Sequence, residues 1–389
     1  MTKAETKVGI DKISFYVPEH YVALSVLAEE QGIDPDKFSR GIGQNKIAMC
    51  THDEDVVTLA AEAAAKVIEG EDLNAIDTVL FATETGIDQS KAAAVYVHEL
   101  LKLPRKCRAV ELKHACYSGT AALQLACGHV TRKPNRKVLV VASDVSRYDL
   151  DTPAEATQGC GAVAMLVSAD PKLLEIEPAS GCYSEDVMDF WRPNYRKTPL
   201  VDGKFSTMKY LSALTGAWED YRDNDGRAFN ELAQFCYHLP FTRMGTKAHR
   251  QLASMNKAQN DPGVTEPGMV YNRDVGNCYA AALYVSLTSA LENTDADLTG
   301  RAVGLFSYGS GAVAEYFSAK VLPGYKERLF RDHHQKLLED RTALTYAQYR
   351  DIWHAPDPQD GTTHIMPNAA RGRFRLSHID EHKRHYEAA

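Results

Sequence analysis

Residues 159–169, GCGAVAMLVSA, and residues 309–319, GSGAVAEYFSA, are identical at seven of eleven positions and lie 150 residues apart. Small residues match by chance here and there, but not seven times in one register. Two copies are too few for a solenoid, so the pattern implies two similar halves packed against each other. The surrounding pattern says what kind of halves. Apolar runs at 78–83, 107–112, 137–143 and 161–169 read as strands, and the Ala-rich 55–70, 90–101 and 118–130 as helices. The second half repeats the theme, with helical patterns at about 228–238, 242–253 and 278–291 and strands at 302–308 and 311–321. Strands that are apolar throughout and separated by helices argue for α/β layers with both sheet faces covered. The halves are placed at 1–170 and 171–389.

Within the second half, 252–270 is polar and rich in Pro and Gly, which reads as a surface loop. From about 322 the chain is charged and helical in pattern, and the histidines of its tail read as solvated side chains, not metal ligands.

Composition narrows the function. A chain of 389 residues with 44% apolar and 25% charged residues has enough apolar material for a large core. Its net charge of −8 argues against a nucleic-acid binder. The opening MTKAETKVGIDK has no apolar segment of the signal-peptide kind, and no run of 18 apolar residues follows. No membrane span is expected. The eight cysteines are scattered, with no C-x-x-C pair, which fits neither a zinc site nor a disulfide scaffold. Reduced thiols in a cytoplasmic setting are the expectation.

One of those thiols is a candidate nucleophile. Cys116 lies between a strand and the helix that starts near Ser118, in ELKHACYSGTAALQLAC. Amide N–H groups at a helix start stabilise a thiolate, pulling its pKa below about 8.5, while burial would push the other way. A small buried residue in a core turn is the competing reading. Cys127, Cys160 and Cys278 are read as structural. His238 closes the apolar run 228–238 just before Leu-Pro, a placement open to a proton handler. Arg243, Lys247 and Arg250 follow at i, i+4 and i+7, which puts three cations on one helix face. That stripe either holds phosphates or is simply solvated. Glu84, in FATETGIDQSK, stands at the end of a buried strand, where a carboxylate serves as acid/base or faces solvent. Asn277 sits at a helix entrance, where an N-cap is the simpler reading.

Together these segments resemble the thiolase superfamily, and within it most closely the 3-hydroxy-3-methylglutaryl-CoA (HMG-CoA) synthases of short bacterial form. The likeness runs from VGIDKISFYVPE (8–19) and KFSRGIGQNKI (37–47), through ATETGIDQSK, ELKHACYSGTAAL, EDVMDFWRP and YHLPFTRMGTK, to RDVGNCYAAALY and SYGSGAVAEYF. It implies a thiolase-like fold of two duplicated α/β halves layered α-β-α-β-α. It also implies condensation of acetyl-CoA with acetoacetyl-CoA and water to HMG-CoA and CoA, the step that feeds the mevalonate route to isoprenoids. No cofactor or metal is implied, and a homodimer is.

Carried over residue by residue, Cys116 matches the acetyl-accepting nucleophile, Glu84 the general acid/base and His238 the group that polarises the acetoacetyl carbonyl. Asn277 and Ser310 match acyl-binding residues, with the N–H groups of Cys116 and Ser310 forming an oxyanion hole. Thr157 and Ser206 match contacts to the second substrate, and Asp189 an acidic support of the acetyl site. Arg243 and Lys247 match a basic pair for CoA phosphates, although the family more often has Lys at the first. Asp34 and Lys37 fall at the outer end of the CoA site. DTPAEA (151–156) lacks the Asn of animal forms. The alternative is an HMG-CoA-synthase-like β-branching enzyme of polyketide assembly, which takes its acyl group from an acyl carrier protein. A Claisen-type ketoacyl synthase has no use for Glu84, since decarboxylation supplies its carbanion. A cysteine hydrolase likewise leaves Glu84 without a role, and a non-catalytic relative is at odds with the presence of all three of Glu84, Cys116 and His238.

Overall fold

The computed structural model describes residues 6–388. Nine strands form its main sheet: β1 (Val8–Tyr16), β2 (Ile76–Ala82), β3 (Arg108–Leu112), β4 (Lys137–Ser146), β5 (Gly159–Ala169), β6 (Leu174–Ser184), β7 (Leu232–Tyr237), β8 (Ala302–Gly309) and β9 (Val313–Val321). Their order is β7-β8-β9-β6-β1-β5-β4-β2-β3. Outward from β1 the pairings run antiparallel to β5, antiparallel to β4 and parallel to β2. Outward from β6 they run antiparallel to β9, antiparallel to β8 and parallel to β7. The duplicated segment therefore sits next to the innermost strand in both halves.

The seam between the halves is narrow, pairing only Gly9 with Glu175 and Ile10 with Leu174. A Cβ on Gly9 would lie 2.0 Å from the Leu174 carbonyl oxygen, so a side chain there would force the seam apart. Behind the seam two helices form an inner layer, α2 (Ser118–Arg132) and α5 (Ala282–Asn293). Every residue from Ala282 through Glu292 is buried, which marks a helix covered on all sides. Thr120 Oγ1 and Tyr284 OH meet at 2.8 Å, and a Cβ on Gly119 would lie 2.6 Å from the Ala280 carbonyl oxygen. The outer layers are α1 (Val56–Ile68) on one half, and α3 (Gly203–Asp223) with α4 (Arg243–Met255) on the other. Asp55 caps α1 in a capping box with Thr58, as the break before its apolar stripe leads one to expect. No helix of the described residues is long and apolar enough to cross a membrane.

Three expectations are corrected. Residues 228–238 are not a helix: a short 3-10 turn at Phe229–Glu231 leads into β7, which pairs in parallel with β8. A strand buried on both faces loses its two-residue alternation, so its pattern is easily read as helical. His238 thus follows a strand. Within 252–270, α4 continues to Met255, and the turn Glu266–Met269 is tucked in with Gly268 and Met269 buried, so only part is surface. After the helices α6 (Arg331–Glu339) and α7 (Tyr346–His354), the tail forms a hairpin of Phe374–Asp380 with Lys383–Ala388. Phe374, Leu376 and Ile379 are buried, while His382 and His385 are exposed. Residues 1–5, which open the segment read for a signal peptide, lie outside the described residues.

Candidate active site

β3 ends at Leu112 and α2 begins at Ser118, with Cys116 in the tight turn between them. Ala115 takes a φ of +40°, a left-handed conformation that costs a residue with a Cβ of the order of 1–2 kcal/mol. The turn is held by Tyr117 N donating to the His114 carbonyl (3.1 Å) and Ser118 Oγ donating to the Ala115 carbonyl (2.9 Å). The half-buried Cys116 thiol donates to Glu84 Oε1 at 3.5 Å.

Glu84 owes its place to a buried carboxylate the sequence reading did not single out. Asp144, at 0% exposure near the end of β4, accepts at Oδ1 from Thr83 Oγ1 (2.7 Å), Glu84 N (2.9 Å), Thr85 N (3.0 Å) and Thr85 Oγ1 (2.6 Å). Its Oδ2 accepts from Ala280 N at 3.0 Å, which ties the Glu84 loop to the entrance of α5. Burial, then the neighbouring Asp144, raises the Glu84 carboxyl to about 8, against the smaller lowering influence of Arg192. Burial, followed by the Glu84 and Asp144 carboxylates, holds the Cys116 thiol well above its ordinary range. Of the two opposing influences named from the sequence, burial outweighs the helix start at this thiol.

His238 is buried at the end of β7, its N donating to the Phe306 carbonyl (2.8 Å) and its carbonyl accepting from Tyr210 OH (2.7 Å). Burial lowers its imidazole to about 3, so the ring is neutral at ordinary pH. Its Nδ1 is buried without a hydrogen-bond partner among the described residues. Cys116, His238, Asn277, Ser310, Thr157 and Ser206 together line one cavity of about 520 Å³. Asn277 does make the cap-like contact expected of it, accepting from Tyr279 N at 2.9 Å. Glu84 lines a second, adjoining cavity of about 830 Å³, and Ser310 and Phe190 line both. The Cys116–Glu84 contact joins the two.

Asp189, at 0% exposure, accepts from Gly311 N (2.9 Å), Tyr308 OH (2.8 Å) and Ser206 Oγ (3.0 Å). It therefore anchors the turn that carries Ser310. Arg243 and Lys247 are exposed on α4, with Lys247 Nζ 5.0 Å from the ring centre of Phe241, a cavity residue. Asp34 and Lys37 are exposed and do not line either cavity. Their segment nonetheless runs to Ile42 on the cavity wall and to Gly43, where a Cβ would lie 2.9 Å from Arg243 Cγ.

Residues 4–172 match the family model described as hydroxymethylglutaryl-coenzyme A synthase N terminal, and residues 174–264 and 256–388 match its C terminal counterpart. The chain belongs to the HMG-CoA synthase family. The HMG-CoA synthase of Enterococcus faecalis is 42% identical over 349 residues, covering 89% of this chain and 91% of that protein. A crystal structure of an HMG-CoA synthase complexed with CoA superposes with a TM-score of 0.94 at 39% identity, covering 98% of this chain and 100% of the other. A polyketide-biosynthesis 3-hydroxy-3-methylglutaryl-ACP synthase of Bacillus subtilis is 32% identical, covering 88% of this chain and 86% of that protein. Like the rest of the HMG-CoA synthase family, the chain is an acyl-transferring condensing enzyme of thiolase-like fold.

Several residues of this HMG-CoA synthase site escaped the sequence reading. Tyr148, Phe190 and Tyr279 form an aromatic corner of the cavity, with ring centres 5.9–6.4 Å apart. Tyr210 and Tyr308 line the same cavity. Nothing local distinguishes such aromatics from core residues. Asp144 did leave a signal: a lone carboxylate in the apolar run KVLVVASDVS must find buried partners.

Proposed function

We propose that this chain condenses acetyl-CoA with acetoacetyl-CoA and water to give HMG-CoA and CoA, through an acetyl thioester on Cys116. The observation that carries the assignment is the Cys116–Glu84 contact of 3.5 Å at the junction of two cavities, with His238, Asn277 and Ser310 on one wall. The Cys116 sulfur attacks the acetyl carbonyl and CoA leaves. The ionised Glu84 carboxyl then takes a proton from the acetyl methyl, and the enolate oxygen is held by the N–H groups of Cys116 and Ser310. The carbanion adds to the acetoacetyl carbonyl, which the neutral His238 ring polarises by hydrogen bonding. Water finally cleaves the thioester and restores the thiol. These steps call for no cofactor.

Thr157 and Ser206 face the second substrate across the cavity, and Asp189 supports the acetyl site through the turn it anchors. Arg243 and Lys247 meet the CoA phosphates, with Asp34 and Lys37 at the outer end. Free CoA is favoured over a carrier protein by the higher identity to the bacterial HMG-CoA synthase, 42% against 32% for the polyketide relative. We place the reaction in the mevalonate route, in the cytoplasm, and the chain in a homodimer. Strand β3 supports the last point: it ends the sheet with a free edge and an exposed Val110.

Intact mass after brief exposure to acetyl-CoA, followed by peptide mapping, tests the catalytic reading. One acetyl group on Cys116 that is discharged as HMG-CoA when acetoacetyl-CoA is added is the expected result. No adduct, or one on another cysteine, rejects the assignment.

A further inference from the structure

Residues 189–192 cross from one side of the site to the other. At one end Asp189 holds the Ser310 turn; at the other the Arg192 guanidinium donates from Nη2 to the Glu84 carbonyl. Between them Phe190 and Trp191 pair with Val201 and Leu200, which keeps the crossing extended. Arg192 is half-buried and lines the cavity that contains Glu84, as well as a third cavity behind the Glu84 loop. Its side chain therefore lies against the loop and is hydrogen-bonded to the loop backbone, which the Lys91, Lys113 and Arg196 side chains of the same cavity are not.

The charges around Glu84 are unbalanced without it. Asp144 presses on the carboxyl from β4, and the Cys116 thiol offers one hydrogen bond from the start of α2. Lys91, Glu111, Lys113, His114 and Asp186 line the same cavity without a hydrogen bond to the Glu84 side chain, and so do Asp88 and Arg196, whose guanidinium is paired with Asp149 at 3.0 Å. Glu111 is engaged elsewhere, accepting from Ala93 N at 2.8 Å. The Glu84 carboxyl and the buried Asp144 carboxyl meet at this loop, and Arg192 is the cation whose charge acts against them. Like charges in such a site keep one carboxyl protonated unless a cation intervenes.

We propose that Arg192 is a positioning residue for the condensation: it pins the backbone of the Glu84 loop and supplies the positive charge that lets Glu84 release its proton beside the buried Asp144. This rests on the reading of Glu84 as the base. The role differs from that of a packing arginine, because removing the charge alone must alter proton release even when the loop stays in place.

The test is the pH profile of condensation, measured on the full chain with acetyl-CoA and acetoacetyl-CoA. Arg192→Gln is expected to move the acid limb upward by about one unit or more, since an adjacent arginine lowers a carboxyl by roughly 1–3 units. Arg192→Lys, which keeps the charge, should leave the limb near its wild-type position even if the maximal rate falls. A profile for Arg192→Gln that coincides with wild type overturns the proposal. So does an equal shift in both variants, because that follows from a disturbed loop and not from charge. Glu84→Gln is run in parallel: if it condenses at the wild-type rate, the base reading itself fails, a result separate from either Arg192 outcome.

Discussion

At Cys116 two opposing influences act on one thiol, and their sizes differ. The dipole of α2 is worth about 0.3–1 kcal/mol at a helix start, under one pKa unit. Burial shifts a group by up to about 3–5 units when complete, and at the half-buried Cys116 the Glu84 and Asp144 carboxylates act in the same direction. The thiol is therefore not a standing thiolate. Removing the Glu84 carboxylate eases thiol ionisation, so Glu84→Ala should still take up an acetyl group on Cys116. Condensation should fall by more than the roughly 10²–10⁴-fold typical of a lost acid/base. Adduct mass and HMG-CoA formation measured on the same sample separate the two steps; near-wild-type condensation would reject Glu84 as the base. With the carboxyl at about 8, the ionised fraction grows as pH rises, so condensation should climb from pH 6 to pH 9. His238, at about 3, stays neutral throughout and adds no limb in that range.

The elements show how a duplicated segment can serve two purposes. Between β4 and β5 the connection 147–158 is long and supplies Tyr148, Asp149, Thr152, Pro153, Ala154 and Thr157 to the cavity wall. Its counterpart between β8 and β9 is the short turn 310–312, which brings Ser310 to the thiol side of the same cavity. Asp189 is the post for that turn. Asp189→Ala would strand Gly311 N–H and Tyr308 OH, each at a cost of about 1–3 kcal/mol when buried. A lower melting temperature and slower acetylation of Cys116 should appear together. Unchanged acetylation would mean that the turn keeps its place without Asp189.

On the scale of the whole molecule, the C-terminal segment is latched to the sheet by a buried polar cluster outside the reaction site. His334, at 0% exposure on α6, makes contacts at Nδ1 with Glu292 Oε1 (2.9 Å) and at Nε2 with Ser14 Oγ (2.9 Å). Phe15 N donates to the same Nε2 at 3.2 Å, and Tyr271 OH donates to Glu292 Oε2 at 2.7 Å. The set joins β1, α5 and α6 without opening to either cavity that holds the reacting groups. Glu292→Ala leaves His334 Nδ1 and Tyr271 OH unpaired, and about 1–3 kcal/mol for each is the expected loss. Thermal unfolding should begin earlier, with the segment after 322 the first to become open to proteases. A melting curve that overlays wild type would show the latch to be dispensable.

Duplication, layer type and the candidates Glu84, Cys116 and His238 were legible in the amino-acid sequence, because spacing, strand ends and helix starts are local features; Ser310 and the acyl-binding role of Asn277 came only from the family resemblance. Local pattern failed at 228–238, since a strand covered on both faces has no polar side to mark its period. It left the Cys116 thiol undecided, because a helix start is visible in sequence while the extent of burial and the carboxylates opposite are not. The hub at Asp144, the Asp189 post and the Arg192 contact depend on residues brought together from 60 to 136 positions away. Their partners are chosen by how the two halves pack. Sequence alone determined which chemical groups this chain carries and on which elements; tertiary structure decided their protonation, because desolvation and Coulomb interaction depend on distance in space.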